Sequence, residues 1–414
     1  RRLPLPVTHE LVDGLGLHRC LDCLLCGRVL LDLDLAALLG LGLRRLLGLR
    51  RDDLAGVVAF DGDEAVLRVP DQVRRGLLLK AAGLQGVGEF GDGLAGSGDA
   101  VAPTPVDNDN SGVLQYVRIE YAGYAFQPDK EVNSLTLACV GSGTTIDHIQ
   151  VTYAKDDAYE WFGGSVNCKY LIAWKTQDDD FDTDNGYSGK VQFGLVIRDS
   201  LIADISTSEA FESDNNATGT TATPKTRAIF SNITAIGPRA TLNNAGNTLF
   251  RAGAQIRRNS AISIFNSIIM GWPQGILIDA TTGTSTALNI EDSSLRLRNV
   301  TLAGNTVNLK FSGTPGATIT SDATLNSWFT GSYYNNDLLT NVSDAKLIQP
   351  YNYSAPDPTP FAGSNGNQKI LTGGSFTDAK FAGDTFFDQT ATFRGAIAPA
   401  GALSTWWKGW TKFN

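Results

Sequence analysis

The chain has 414 residues, and 34 Lys and Arg against 43 Asp and Glu give it a formal charge of −9. This length allows one large repeat domain or two ordinary domains. No basic stripe is present to neutralise phosphates, so the composition argues against a nucleic-acid-binding protein. No credible transmembrane helix is present either, because Arg and Asp interrupt the Leu-rich runs before they reach about 18 apolar residues.

Residues 1–100 differ in composition from the rest of the chain. They contain 26 Leu, 11 Arg and one Lys, but no Asn, Ile, Trp, Tyr or Met. Their Leu-rich runs follow neither a helical nor a strand period, and they include no intact signal peptide. We therefore interpret the segment as a wrong-frame or opposite-strand translation joined to a genuine protein, with a Leu-rich helical pro-segment as the alternative.

The cysteines fall into two groups. Residues 20–26 carry a C-x2-C-x2-C pattern with His18 nearby, a spacing that iron–sulfur clusters and zinc sites use. A fourth ligand is not evident and the segment is anomalous, so we do not expect a metal there. Cys139 and Cys168 lie in the repeat region described below, where we expect small, buried positions of a stack rather than a disulfide.

Three acidic segments between residues 157 and 216 repeat one pattern. Aligned on an aromatic residue, they place Tyr159, Phe181 and Phe211 in one column, at offsets of 22 and 30 residues. Repeats of this length are typical of solenoids, in which each coil covers the apolar face of its neighbour. The next column is acidic and comprises Glu160, Asp182 and Glu212.

A second repeat follows at residues 230–304, where an asparagine precedes each short apolar or β-branched run. These residues are Asn232, Asn266 and Asn299, 34 and 33 positions apart. Asparagine tolerates the left-handed backbone conformation, and stacked side-chain amides can bond along a column. Short strands at a fixed period favour an all-β fold, a right-handed parallel β-helix over residues 101–312. The paired runs typical of sandwiches and barrels are scarce.

Residues 313–414 lose the repeat and end in the aromatic segment Trp406–Trp410. A solenoid exposes unpaired strand edges and apolar core at its ends, and these need covering. We therefore predict that this aromatic-rich region is an irregular C-terminal cap. Stacking of the Trp cluster on sugar rings is the alternative use.

The acidic pattern predicts an outward-facing ladder of carboxylates. If the aromatic column faces inward, strand alternation turns the neighbouring positions outward. Two charges about 5 Å apart repel by roughly 3 kcal/mol at an effective dielectric of about 20. A hard cation such as Ca²⁺, protonated carboxyls, or solvation and pairing with lysines would each relieve the repulsion. The predicted ligands are Glu160, Asp180, Asp182, Asp184, Glu212 and Asp214.

Several motifs resemble a family of secreted or surface-attached parallel β-helix proteins of Gram-negative bacteria. They are Asp107–Gly123, Gly141–Tyr153, Glu160–Gly164 and Asp178–Asp184, and the Trp-rich ending fits as well. The resemblance covers about residues 107–312. It implies the β-helix fold and an extracellular or outer-surface location, but no particular reaction.

Asp179–Asp182 is also similar to an acidic turn of calcium-dependent pectate lyases of the β-helix type, with Phe181 where a glycine would be expected. This resemblance implies a Ca²⁺ site that holds a uronate carboxylate and a lysine that abstracts the neighbouring proton. The matching residues are Asp180, Asp182, Asp184 and Glu212 for the ion, and Lys190 or Lys175 for the base.

Three functions stay open at this point. We favour a structural, adhesive or glycan-binding surface protein with Ca²⁺ on the acidic ladder, because fold does not determine function. A Ca²⁺-dependent polyuronate lyase is the alternative, and a glycoside hydrolase with paired carboxylates is the second. A Ser-His-Asp triad is disfavoured, since His148 is the only histidine outside residues 1–100. A polysaccharide or cell-surface glycan is the expected partner.

Overall fold

The computed structural model describes residues 106–123, 133–244 and 246–413, and the backbone of three earlier strands. The strands of the first half are β1 (Val57–Asp61), β2 (Glu64–Arg68), β3 (Leu77–Lys80), β4 (Val113–Glu120), β5 (Leu135–Ala138), β6 (Thr145–Thr152), β7 (Tyr159–Phe162), β8 (Asn167–Trp174), β9 (Phe181–Asp184), β10 (Lys190–Ile197) and β11 (Phe211–Ser213).

The later strands and the helices follow in the same way. The strands are β12 (Ile229–Ile236), β13 (Ala252–Arg257), β14 (Ser263–Phe265), β15 (Ile268–Met270), β16 (Gln274–Ala280), β17 (Leu297–Arg298), β18 (Thr301–Ala303), β19 (Val307–Gly313), β20 (Asp337–Leu339), β21 (Leu347–Gln349) and β22 (Asp357–Pro360). The α-helices are α1 (Ala287–Glu291), α2 (Asp322–Phe329) and α3 (Gln368–Thr372). Short 3₁₀ turns occupy Val342–Ala345, Gly363–Asn365, Ala379–Phe381 and Ala402–Ser404.

Two long sheets form the body of the protein, and their strands are parallel except that β1 pairs antiparallel with β2. The first sheet has the order β1-β2-β4-β6-β8-β10-β12-β15-β18-β20, with β14 and β17 beside this path. The second sheet has the order β3-β5-β7-β9-β11-β13-β16-β19. From β2 onward the chain passes from one sheet to the other and back, so that each circuit adds one parallel strand to each. The predicted parallel β-helix is confirmed.

The solenoid extends past both ends of the predicted range. β20 pairs in parallel with β18, Asp337 beside Thr301, although it lies beyond residue 312. An insertion that contains α2 separates these two strands in the sequence, so the spacing of the repeat is lost there. At the other end, β2 pairs with β4 and β3 with β5, so both sheets begin within residues 1–100. The origin of that segment stays a prediction, and its cysteine pattern lies outside the described residues.

The predicted aromatic column faces the interior between the sheets. Tyr159 lies beside Phe181, and Phe181 beside Phe211, with ring centroids 5.7 and 5.4 Å apart. All three side chains are fully buried. Burial of each ring contributes about 1.5–3 kcal/mol, so the column is a main source of cohesion between coils. Cys139 and Cys168 are buried as well, as expected for small residues of the stack.

A column of left-handed residues bends the strands of the first sheet in eight successive coils. Their φ angles lie between 49° and 64°. In the later coils the amides bond to one another: Asn299 Nδ2 donates to Asn266 Oδ1 at 3.1 Å, and Asn335 Nδ2 donates to Asn299 Oδ1 at 3.0 Å. In the earlier coils rings stack instead of amides. The column comprises Tyr116, His148, Tyr170, Phe193, Asn232, Asn266, Asn299 and Asn335.

The C-terminal segment covers apolar surface, but this surface is the outer face of the first sheet rather than an open end of the solenoid. Trp406, Trp407 and Trp410 are buried in one cluster with outward residues of that sheet, Trp174 and Leu195 among them. The strands of the first sheet are therefore apolar on both faces, a pattern typical of sheets buried on both sides. Burial of the three tryptophans also argues against the sugar-stacking alternative.

Helix α2 covers the last strand of the second sheet. Its N-cap is Ser321, whose hydroxyl accepts a hydrogen bond from the backbone N–H of Thr324. Leu325 and Phe329 point into the interior core. Asp322 accepts a hydrogen bond of 2.8 Å from the backbone N–H of Phe311, so an edge donor of β19 is satisfied.

Candidate metal centre

The acidic ladder lies on the outer face of the second sheet. Glu160 in β7 pairs in register with Asp182 in β9, and Asp182 pairs with Glu212 in β11. Thr136 precedes them in the column and Gln255 follows, so the carboxylates occupy three adjacent coils. The register is the one that the sequence alignment predicts.

A second acidic column, which the sequence analysis missed, lies at the corner that leads into these strands. Asp157 Oδ1 accepts the backbone N–H of Asp179 at 2.9 Å, and Asp179 Oδ1 accepts that of Glu209 at 2.6 Å. Each carboxylate thus anchors the next coil. The signal was present, since all three repeats carry an acid two residues before the aromatic. Strict alternation predicts an inward direction for these acids, so the pattern alone does not assign them to the outer face.

The two columns meet in two clusters of carboxylates. In each cluster one oxygen from every member lies within 4.8 Å of the others. The N-terminal cluster comprises Asp157, Glu160 and Asp182, and the C-terminal cluster comprises Asp179, Glu209 and Glu212. A third group with the same spacing, Asp156, Asp157 and Asp178, shares Asp157 with the N-terminal cluster.

Burial and mutual repulsion shift the pKa values of these groups. Burial raises the pKa of Asp157 well above its usual range, and the neighbouring carboxylates of Asp156, Asp182 and Glu160 raise it further. The pKa of Asp182 is also raised well above its usual range, by burial and then by the Glu212 charge. At the N-terminal cluster, burial and repulsion therefore favour a bound proton or a cation over three unscreened charges.

Arginines neutralise the C-terminal side of the ladder. The guanidinium of Arg257 contacts Glu212 through Nη2 and donates from Nε to Asp214 Oδ1 at 2.8 Å. Arg258 Nη1 donates to Asp214 Oδ2 at 2.6 Å. Burial raises the pKa of Glu212 to about 8 in spite of the opposing charge of Arg257. Asp214, a predicted metal ligand, is thus held by two arginines.

Two further predicted ligands have other surroundings. Asp180 is fully buried and pairs with Arg198 at 3.1 Å, so it does not lie on the outer face. It precedes β9, at the corner where strand alternation no longer governs side-chain direction. Asp184 accepts the backbone N–H of Asn185, and burial raises its pKa to about 7. Of the six predicted ligands, the N-terminal cluster includes Glu160 and Asp182, and the C-terminal cluster includes Glu212.

The two predicted base lysines belong to the first sheet. Lys175 follows β8 and pairs with Asp199 at 3.2 Å, while its ammonium lies 5.1 Å from the ring centre of Trp174. Lys190 begins β10 and pairs with Asp384 of the C-terminal segment. The acidic ladder is in the other sheet, so the structure does not bring either lysine to it.

The donor set of the N-terminal cluster fits a hard cation. Ca²⁺ takes six to eight oxygens at about 2.3–2.6 Å, and two ligands on opposite sides of one ion are therefore about 5 Å apart. Three carboxylates can supply up to six oxygens, and their present separation of no more than 4.8 Å matches that span. In the C-terminal cluster, Glu209 Oε2 is shielded from solvent and has no hydrogen-bond partner among the described residues.

Comparison with known proteins assigns the chain to a family. A family model described as a pectate-lyase-like β-helix domain matches residues 94–341, more than half of the chain. No curated protein and no solved structure matches. Within the described part of the chain, no helix is long and apolar enough to span a membrane. On the strength of the two parallel sheets and this match, the chain belongs to the family of pectate-lyase-like β-helix domains.

Proposed function

We propose that this protein is an extracellular β-helix protein of structural or glycan-binding type that binds Ca²⁺ at the N-terminal cluster. The observation that carries the proposal is the convergence of Asp157, Glu160 and Asp182, whose oxygens lie within 4.8 Å of one another. Membership of a pectate-lyase-like family supports a polysaccharide as the partner.

The N-terminal cluster is the better candidate of the two because Arg257 contacts a member of the other one directly. The main influences on the pKa of Asp157 are burial and four neighbouring carboxylates, all of which raise it. The Glu212 carboxylate, by contrast, contacts Arg257 directly. A divalent cation therefore relieves more repulsion at the N-terminal cluster.

A cation at this position would join two coils of the solenoid. Asp157 and Glu160 belong to the coil of β7, and Asp182 belongs to the coil of β9. The bound ion would supply a positive charge on an otherwise acidic face, where it can attract the carboxylate of an acidic sugar. The three side chains would hold the ion, and the rigid sheet beneath would keep them in place.

The test is thermal unfolding of the full chain in Ca²⁺ and in chelator. Ca²⁺ should raise the melting temperature of the wild type, and Asp182→Asn or Glu160→Gln should abolish that rise. Asp337→Asn is the matched control. Asp337 lies in β20 of the first sheet, away from the acidic ladder, and pairs with Lys369, so this variant should leave the calcium effect unchanged. An equal melting temperature in calcium and chelator would refute the proposed site.

A calcium-dependent polyuronate lyase is the second candidate, and membership of the pectate-lyase-like family favours it. Lys175 and Lys190 lie on the first sheet, away from the acidic ladder, and each forms an ion pair with an aspartate. This reaction would therefore need another base. Polyuronates should therefore be assayed for the unsaturated product of β-elimination. Turnover lost in Lys190→Ala or Lys175→Ala, with calcium binding intact, would restore the lysine base. Reducing ends that form in chelator would point instead to a glycoside hydrolase.

A further inference from the structure

The C-terminal cluster contains a buried acid, one oxygen of which accepts no hydrogen bond from the described residues. Glu209 is fully buried, and its Oε2 has no hydrogen-bond partner among the described residues. Its other oxygen accepts a hydrogen bond of 3.2 Å from Thr207. An oxygen of Glu209 also lies within 4.8 Å of oxygens from Asp179 and Glu212. The cluster has the donor atoms of a cation site, and one of them is buried without a donor or a cation.

Arg257 supplies the positive charge that this cluster contacts. Its guanidinium reaches Glu212 from the adjacent coil and is held in position by Asp214, which accepts from Nε at 2.8 Å and from Nη2 at 3.1 Å. Only 19% of the side chain is exposed. A guanidinium stays charged at every relevant pH, so it acts as a permanent counter-ion. Arg251 also favours ionisation of Glu209, but it lies toward Asp279 at 3.9 Å.

We propose that Arg257 is a tethered counter-ion that takes the place of a metal ion at the C-terminal cluster, so that the acidic face binds one Ca²⁺ instead of two. The inference rests on the proposed function for the N-terminal cluster and adds a determinant of its stoichiometry. If Arg257 is removed, a second site of the same donor chemistry forms from Asp179, Glu209 and Glu212. Two neighbouring ions would then share the face of β9 and β11.

The experiment counts the Ca²⁺ ions bound by the full chain, by titration calorimetry. The wild type should bind one ion and Arg257→Met should bind two. Arg258→Met is the matched control: Arg258 pairs with Asp214 but not with Glu212, so that variant should still bind one. Glu209→Gln combined with Arg257→Met should return the count to one.

The outcomes separate this inference from the proposed function. One ion in both wild type and Arg257→Met would overturn the inference and leave the proposed site intact. No ion in the wild type but one in Arg257→Met would overturn the proposed site and support the inference. Should Arg257→Met fail to fold, Asp214→Asn removes one of the two anchors of the arginine. A second, weaker ion in that variant supports the proposal, and an unchanged count overturns it.

Discussion

Arg198 and Asp180 form an ion pair of 3.1 Å, and neither side chain is exposed to solvent. Arg198 also donates to the carbonyl oxygens of Asp178 and Gln177, at 2.6 and 3.1 Å, and its guanidinium lies 5.1 Å from the ring centre of Phe250. The pair joins two consecutive coils at the corner before β9. Asp180 therefore stabilises the conformation of the corner. Because its carboxylate is buried, it is not available to bind an ion on the outer face.

The first prediction concerns this buried pair. Asp180→Asn leaves the Arg198 charge buried without its partner, and such changes cost about 3–5 kcal/mol. We expect that loss in the free energy of unfolding, measured in urea, to be the same in calcium and in chelator. Asp337→Asn, at a partly exposed pair, should cost no more than about 1 kcal/mol. A variant that keeps its stability but loses the calcium response would instead make Asp180 a metal ligand.

The second prediction is a loss of stability as pH rises in chelator. Burial raises the pKa of Glu212 to about 8 and that of Asp184 to about 7. Between about pH 5 and about pH 8 the unfolded chain has lost these protons while the native protein still binds them, so the free energy of unfolding falls as pH rises. The melting temperature in chelator should therefore be lower at the upper end of this range.

Calcium and one variant provide the controls for this pH effect. Burial also raises the pKa values of Asp157 and Asp182, which belong to the proposed Ca²⁺ site. Because protons and Ca²⁺ compete for the oxygens of these two residues, the stabilisation by Ca²⁺ should be larger at the upper end of the range. Asp184→Asn should reduce the dependence below pH 7, which is about the pKa of Asp184. A melting temperature in chelator that stays constant or increases toward high pH would contradict the prediction.

The third prediction concerns the asparagine ladder at Asn266. Its Oδ1 accepts from Asn299 at 3.1 Å and from the backbone N–H of Ser375 at 2.8 Å, and its φ is 49°. Asn266→Ala loses hydrogen bonds worth about 1 kcal/mol each and places a Cβ-bearing residue without a local bond in the left-handed region, at about 1–2 kcal/mol. Because Asn266 Nδ2 also donates to Ser231 Oγ at 3.1 Å, we expect a total loss of about 4 kcal/mol in chemical unfolding.

Asn266→Gly separates the two contributions at this position. Glycine adopts positive φ without strain, so this variant should lose only the hydrogen bonds, offset in part by the greater freedom of the unfolded chain. It should therefore be more stable than Asn266→Ala. Equal stability of the two variants would show that the left-handed backbone contributes nothing here.

The fourth prediction concerns the C-terminal segment. Trp406 packs against Tyr170 with ring centres 5.1 Å apart, and its Nε1 donates to the carbonyl of Ala396 at 2.9 Å. Trp406→Ala should cost about 3–5 kcal/mol, as large-to-small core changes do. Leu201→Ala is the control: Leu201 is 75% exposed, and surface changes stay within about 0.5 kcal/mol. Equal stability of the two variants would mean that the segment does not contribute to folding.

Strand alternation explains which site residues the sequence could reveal. Within β7, β9 and β11 it correctly turned Tyr159 and Phe181 inward and Glu160 and Asp182 outward. At the corners just before these strands, alternation predicted the wrong side-chain direction both for an inward and for an outward position. Asp157 lies two residues before the inward-facing Tyr159, so alternation predicts that it points inward, yet it joins the carboxylate cluster. Asp180 lies one residue before the inward-facing Phe181, so alternation predicts that it points outward, yet it is fully buried. The alternation depends on extended backbone, and the corners are not extended.

The repeat, the inward aromatic column, the register of Glu160 beside Asp182 and the asparagine positions can all be predicted from the amino-acid sequence, because they depend on local periodicity. The folded arrangement of the coils is needed to show which carboxylates converge, which of them an arginine neutralises and where the C-terminal segment lies. Those features depend on contacts between distant positions: Arg257 is 45 residues from Glu212, and the Trp410 carbonyl accepts from Arg118, 292 residues away. No local period encodes such pairs, since they arise only when the coils stack.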